Sequence, residues 1–382
     1  MRRLAGVSLC ALTVTVCAVP GSVSEGEWER TKVAPAAGGD DCVRPGTTGT
    51  TGTTGGTAAV GGTALRGRGA SGGVARSAQA RDRADLGHEQ ATAMLADLRR
   101  TLLDRFGTTD EALLDSRLLG ETLPGSARRG SERRATGSLV VPVRFHVVHS
   151  GGSGRLSTAA VRRQIATLNA AYGGRLGGSD THVRFRLDSL DRTDNSAWFH
   201  NPQRNEGPIK RRLRKGGRGT LNLYTAAVGS DVLGFSTFPQ WYRRDPRLDG
   251  VIVDFRSLPY GSYAPFNHGF TAVHEIGHWL GLMHTFEGGC VSPGDGVADT
   301  PYEQEPAQGC PQGRDTCPQR GRDPIHNFMD YAHDACMRGF TTGQGRRIRA
   351  VWAAYRSRKP GRHRVDLGTG APGAARSVGA AR

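Results

Sequence analysis

The chain has 382 residues, enough for one large domain or two small ones with tails, and 37% of them are hydrophobic. Its 51 Lys and Arg outweigh 35 Asp and Glu to give a formal charge of +16, yet only Lys32, Lys210, Lys215 and Lys359 are lysines. An arginine excess with no basic run interleaved with aromatics argues against a single-strand nucleic-acid binder, and no nucleic acid is expected as a partner.

Residues 1–24 read as a secretory signal. Arg2 and Arg3 supply the charged start, Leu4–Val19 the apolar stretch, and Pro20 to Ser24 the cleavage region. That stretch is short for a membrane span, and no later run approaches about 20 apolar residues, so the expected product is secreted and extracellular with no membrane span. Residues 25–75 read as low-complexity linker, because Gly46–Gly73 is mostly Gly, Thr and Ala and cannot bury enough apolar surface to offset its ordering entropy. Residues 76–137 read as a partly helical propeptide, with Ala91, Met94, Leu95, Leu98 and Leu102 at helical spacing. The alternative is a helical hairpin that stays on the mature protein. Arg128-Arg129 and Arg133-Arg134 lie in a polar hinge of the kind where proteolytic nicking concentrates.

Residues 138–358 read as the main domain. A strand is expected over 138–148, with His146 on one face in a structural role. Ser157 caps a helix to Tyr172, whose Val161, Ile165 and Leu168 recur at helical spacing. Strands are expected over 182–187, 219–224 and 250–255. The basic run Lys210–Arg218 reads as a solvated helix and loop. Helices are expected over Gly269–Met283 and Thr342–Tyr355, the latter turning Ile348, Val351, Trp352 and Tyr355 inward. This is an α+β pattern: a twisted mixed sheet plus helices, with a cleft between two subdomains. Residues 359–382 read as a disordered tail.

The run His274-Glu275-Ile276-Gly277-His278-Trp279-Leu280-Gly281-Leu282-Met283-His284 carries the chemistry. Two histidines four apart lie on one face of a helix and can grip one ion. Gly281 falls where the helix should stop and turn, which brings His284 back as a third ligand. Three protein ligands leave one position on Zn²⁺ for water, as in a catalytic site. Glu275, beside the first ligand, is the expected general base, taking a proton from that water and delivering it to the leaving amine. The pattern H-E-x-x-H-x-x-G-x-x-H matches the zinc signature of metzincin metallopeptidases.

The chain further resembles the pappalysin family of metzincins, including small ulilysin-like secreted peptidases. The resemblance rests on HEIGHWLGLMHTFEGGC (274–290), Asp299-Thr300-Pro301, Asn327-Phe328-Met329-Asp330-Tyr331, Asp334-Ala335-Cys336-Met337 and Phe340 to Gln344. Upstream it includes Leu221 to Tyr224 and Leu233 to Pro239, and it covers about residues 138–356. It implies a secreted zinc endopeptidase acting on peptide or protein substrates and made as a latent precursor. Met329 then forms the Met-turn beneath the metal, and Tyr331 is a candidate hydrogen-bond donor to the oxyanion. A taste for cleavage beside Arg or Lys is also implied, with Asp334 a candidate acid for the pocket. The alternative is a catalytically silent, metal-bearing binding protein.

Of seven cysteines, Cys10 and Cys17 fall in the signal. Cys290, Cys310, Cys317 and Cys336 read as two disulfides, which allow three pairings. Resemblance to pappalysins favours Cys290–Cys317 and Cys310–Cys336. Cys42 is left over: a candidate cysteine switch on the zinc, with a free thiol or an intermolecular disulfide as alternatives. The loop Pro293–Pro301 offers Asp295, Asp299 and Thr300 as candidate ligands for the Ca²⁺ that the family resemblance implies.

Overall fold

A computed structural model of the chain describes residues 84–119, 137–229 and 232–357, all within one unit, Gly73–Arg382. The signal, the linker, Cys42, the Arg128-Arg129 and Arg133-Arg134 pairs and the tail lie outside the described residues.

Two helices come first, α1 (His88–Phe106) and α2 (Glu111–Leu119). The five apolar residues that predicted the first of them, from Ala91 to Leu102, form its buried face. The domain proper opens with β1 (Leu139–His149), followed by α3 (Thr158–Tyr172). Ser157 caps α3 by accepting from the Ala160 amide at 3.1 Å, as its sequence position predicts. Next come β2 (Val183–Asp194), α4 (Ser196–His200), α5 (Glu206–Leu213), β3 (Leu221–Ala226), β4 (Gly234–Phe235) and β5 (Val251–Asp254). The sheet order is β2-β1-β3-β5-β4, parallel apart from the antiparallel β4–β5 pair. It is a mixed sheet in an α+β domain, and β4 closes it as a two-residue edge.

Two features depart from the sequence reading. First, β2 runs seven residues beyond the expected Leu187 end, to Asp194. Asp188, Asp191, Arg192 and Asp194 conceal this extension, because it is the outer edge of the sheet and one face meets water. Its pairing with β1 shifts register between Val143 and Arg144. Second, the run 210–218 is a helix end and loop exposed at Arg211, Arg212 and Lys215 as expected, but its first member is not solvated. Lys210 is fully buried, donating to Glu206 Oε1 at 2.8 Å and to the Gly250 carbonyl at 2.9 Å. A buried ammonium is tolerable because acceptors replace its water.

The main core lies between the sheet, α3 and α6 (Phe270–Trp279), with Phe145, Leu168, Tyr172, Val273, Ile276 and Trp279 at its centre. His146 is buried as expected, hydrogen-bonded to Asp191 and Asn222 and stacked on Tyr224 at 4.5 Å. Beyond α6 the chain is largely turns to residue 341. It is pinned by Cys290–Cys317 and Cys310–Cys336, whose Cα atoms are 5.4 and 5.8 Å apart. The last helix, α7 (Thr342–Val351), starts with a capping box between Thr341 and Gln344 and continues as a π turn to Arg356.

Candidate metal centre

α6 is held at both ends and along its back. At its start, Asp334 Oδ2 accepts the His268 amide at 2.7 Å, and its carboxyl also accepts the Phe270 amide. Gln164 donates to the Gly269 carbonyl at 3.0 Å, and the Tyr172 hydroxyl to the Val273 carbonyl at 2.9 Å. The helix ends at Trp279, short of the expected Met283, because Gly281 takes a φ of 98° and turns the chain. The Leu282 amide then donates back to the Gly277 carbonyl at 2.9 Å.

That turn brings three imidazoles together. His274 and His278 Nε2 are 3.0 Å apart, and His278 and His284 Nε2 are 3.1 Å apart, all three rings being buried. Two of the outer nitrogens are committed to carbonyls: His274 Nδ1 to Phe328 at 2.7 Å and His278 Nδ1 to Leu282 at 2.8 Å. A ring that donates from Nδ1 presents a bare Nε2 lone pair, the tautomer a metal ligand needs. The donor set therefore fits Zn²⁺, three nitrogens converging on a point, with the His274 and His278 rings fixed from behind. Phe286 stacks on His284 at 4.6 Å and 10°, and Phe238 meets His278 edge-on at 5.3 Å.

The expected functional residues surround this point. Glu275 is buried, its side chain against Gly234 of β4. Tyr331 places its hydroxyl 3.0 Å from His284 Nε2. Met329 is fully buried and packs beneath α6 against Gly277. The turn carrying both is tied to α7 by a reciprocal amide pair, Asn327 to Gln344, at 2.9 and 3.0 Å.

The loop proposed for calcium is only partly convergent. Asp295 and Thr300 are buried close together, and burial pushes the Asp295 carboxyl up to about 7. Asp299 instead turns its carboxylate to the start of α7, accepting from the Thr341 hydroxyl at 2.7 Å and the Gly343 amide at 2.8 Å. Asp334 is likewise buried, and burial raises its carboxyl to about 6.

Sequence reasoning missed a buried carboxylate network under the site. Arg314 pairs with Glu303 at 2.6 Å and with Asp323 at 2.9 Å, while Thr285, next to His284, donates to Glu303 at 2.9 Å. Burial and the neighbouring Asp330 push Glu303 up to about 8. Its members sit in turns with no periodicity, so no spacing announces them. Asp85 was also missed. It lies in the upstream segment, yet it accepts the Tyr331 hydroxyl at 3.1 Å.

Comparison with known proteins agrees with this geometry. A family profile described as pregnancy-associated plasma protein-A, of the M43 peptidases, matches residues 254–353. An extracellular metalloprotease of Verticillium alfalfae is 44% identical over 232 residues, covering 58% of this chain and 79% of that protein. Extracellular metalloprotease 1 of Coccidioides posadasii is 43% identical over 227 residues, with the same coverage of 58% and 79%. Among solved structures, mature mirolysin of Tannerella forsythia in complex with a cleaved peptide superposes with a TM-score of 0.51. It is 29% identical and spans 56% of this chain and 92% of that one. A promirolysin mutant gives 0.54 at 27% identity, spanning 70% of this chain and 92% of that one.

Proposed function

This chain belongs to the pappalysin family of metallopeptidases, and from that premise we propose that it is a secreted zinc endopeptidase made as a latent precursor. The observation that carries the reading is the convergence of His274, His278 and His284 through Nε2, with Glu275 and Tyr331 beside them. A zinc ion there would supply Lewis-acid chemistry, acidifying a water and polarising a carbonyl.

The chain's own residues do the rest. Glu275, one residue from the first ligand on a rigid helix, takes the proton of the attacking water and passes it to the leaving amine. Its burial keeps competing solvent away from that carboxylate. Tyr331 donates its hydroxyl to the oxygen that gains charge as the carbonyl becomes tetrahedral. Met329 holds the floor flat so that the three imidazoles keep their angles. Substrate lies extended beside β4, the two-residue antiparallel edge next to Glu275, with backbone hydrogen bonds giving affinity and pockets giving preference.

Three finer readings belong to the same proposal. Asp334 attracts an Arg or Lys side chain. Asp295 and Thr300, with Asp299 nearby, hold a structural Ca²⁺. Residues up to about 137 form the propeptide, cut at Arg128-Arg129 or Arg133-Arg134. The share of this chain matched rises from 56% with mature mirolysin to 70% with the promirolysin mutant, which supports a pro-region upstream of β1. Digestion of a denatured protein by the matured chain tests the whole reading. Cuts that disappear with a zinc chelator and in Glu275→Ala support it. Cuts that survive both treatments refute it.

A further inference from the structure

The described chain begins at Ala84, and its first residues run over the metal centre before α1 starts. Ala84 is buried and joins Ala91, Met94 and Leu95 in an apolar cluster with Phe238 and Met283. Phe238 stands against His278, and Met283 directly precedes His284, so this cluster abuts the imidazole triad. Asp85 follows. Its Oδ1 accepts the Tyr331 hydroxyl at 3.1 Å and lies 3.5 Å from His284 Nδ1, an imidazole nitrogen that Glu287 approaches to 3.9 Å.

We propose that Asp85 is the latch of the precursor: it engages Tyr331 and His284 and closes the cleft to substrate, so latency does not require Cys42. The inference rests on the metallopeptidase reading above. A phenol has one proton to donate, and a Tyr331 hydroxyl given to Asp85 is withheld from a substrate oxyanion. A carboxylate at this position also opposes the negative charge that the reaction develops there. The latch need not hold the segment by itself, because the segment is anchored elsewhere. Glu111 pairs with Arg347 at 2.7 Å, Asp115 with Arg349 Nη2 at 2.6 Å, and Asp97 accepts the Tyr355 hydroxyl at 2.8 Å. Leu98, Leu102 and Leu114 pack on Ala350, Val351 and Ala354 of the C-terminal helix. These contacts hold Asp85 at high local concentration over the site.

The test uses the full-length precursor carrying Glu275→Ala, which prevents self-cleavage. Binding of a short fluorescein-labelled peptide containing arginine is read by anisotropy, and hydrogen exchange is followed across residues 84–106. Adding Asp85→Ala should tighten peptide binding about tenfold, the usual weight of one charge-assisted hydrogen bond, and speed exchange over 84–90. Asp85→Asn keeps an acceptor oxygen without the charge and should fall between. Tyr331→Phe removes the same bond from the other side and should open the cleft similarly, which covers the case of Asp85→Ala failing to fold. Cys42→Ser should bind no more peptide than the parent. The proposal is overturned if Asp85→Ala and Tyr331→Phe leave binding and exchange unchanged, or if Cys42→Ser alone opens the precursor. Failure of the underlying reading would show separately, as a matured Glu275-intact chain that cuts nothing.

Discussion

Gly277 and Met329 touch at the floor of the metal centre: a Cβ on Gly277 would fall 2.4 Å from Met329 Sδ and 3.1 Å from its Cε. The helix turn between the first two histidines therefore rests flush on a fully buried thioether. Gly277→Ala should destabilise the domain by about 1–3 kcal/mol, the usual cost of overpacking. Met329→Ala should cost about 2–5 kcal/mol through the cavity it leaves. The double variant should cost clearly less than the sum, because the new methyl enters the space the thioether vacates. Urea unfolding of the four proteins measures this, and strict additivity would mean the two side chains do not share that space.

The Asp334 carboxyl, raised to about 6 by burial, gives the proposed basic preference a pH signature. Below that value the group is mostly neutral and offers Arg or Lys only a hydrogen bond. Above it the group is a carboxylate and attracts the cation. The ratio of kcat/KM for an Arg peptide over its Leu counterpart should therefore rise between pH 5 and about pH 7.5, with a midpoint near 6. In Asp334→Asn that ratio should be flat. A ratio that rises equally in both proteins would remove Asp334 from the specificity pocket. It would leave the residue its observed work, holding the His268 amide at the start of α6.

The metal centre was legible because its signal is local. Helix period places His274 and His278 together, and Gly281 announces the turn that returns His284. Asp334 and Asp299 were legible as acids near the site but not as anchors, since each spends its carboxylate on backbone amides more than forty residues away in sequence. Lys210 was misread for a related reason. Composition gives a basic run, whereas burial of one member depends on Glu206 and on the Gly250 carbonyl across the fold. The β2 extension was missed because an edge strand with charged outer positions lacks the alternation that marks a half-buried one. What pattern alone could not supply was which distant groups satisfy each buried charge.

Calcium should act through Asp295. Burial raises its carboxyl to about 7, and a cation in the loop would hold it ionised without that penalty. Sites of this kind in extracellular proteins bind at about 10⁻⁴ to 10⁻³ M. Calcium at roughly 100 times its Kd should therefore stabilise the protein by about 2.7 kcal/mol, and EGTA should reverse the effect. Asp295→Asn should abolish the calcium-dependent rise in melting temperature, while Thr300→Val should weaken it. If the melting temperature of the unmutated protein ignores both calcium and EGTA, the loop is an Asp/Gly turn and nothing more.

The pair Asp115–Arg349 should set how firmly the upstream segment grips the domain. The guanidinium meets the Asp115 carboxylate through Nε and Nη2, and its Nη1 donates to the Thr181 carbonyl. Both side chains are buried, with 7% of Arg349 exposed. Asp115→Ala would strand that charge against α7, and breaking a buried pair from one side costs about 3–5 kcal/mol. Guanidinium chloride unfolding of the precursor should register the loss, and hydrogen exchange in α1 and α2 should accelerate with it. Replacing both partners, Asp115→Leu with Arg349→Met, should recover most of the stability, since no charge is then left dry. In a matured chain that has shed residues 84–119, Arg349 has already lost this partner, so its unfolding midpoint should match whether it was made from the Asp115→Ala precursor or the parent. A precursor midpoint unmoved by Asp115→Ala would show instead that water reaches Arg349 in solution and that the apolar contacts of Leu98, Leu102 and Leu114 hold the segment alone.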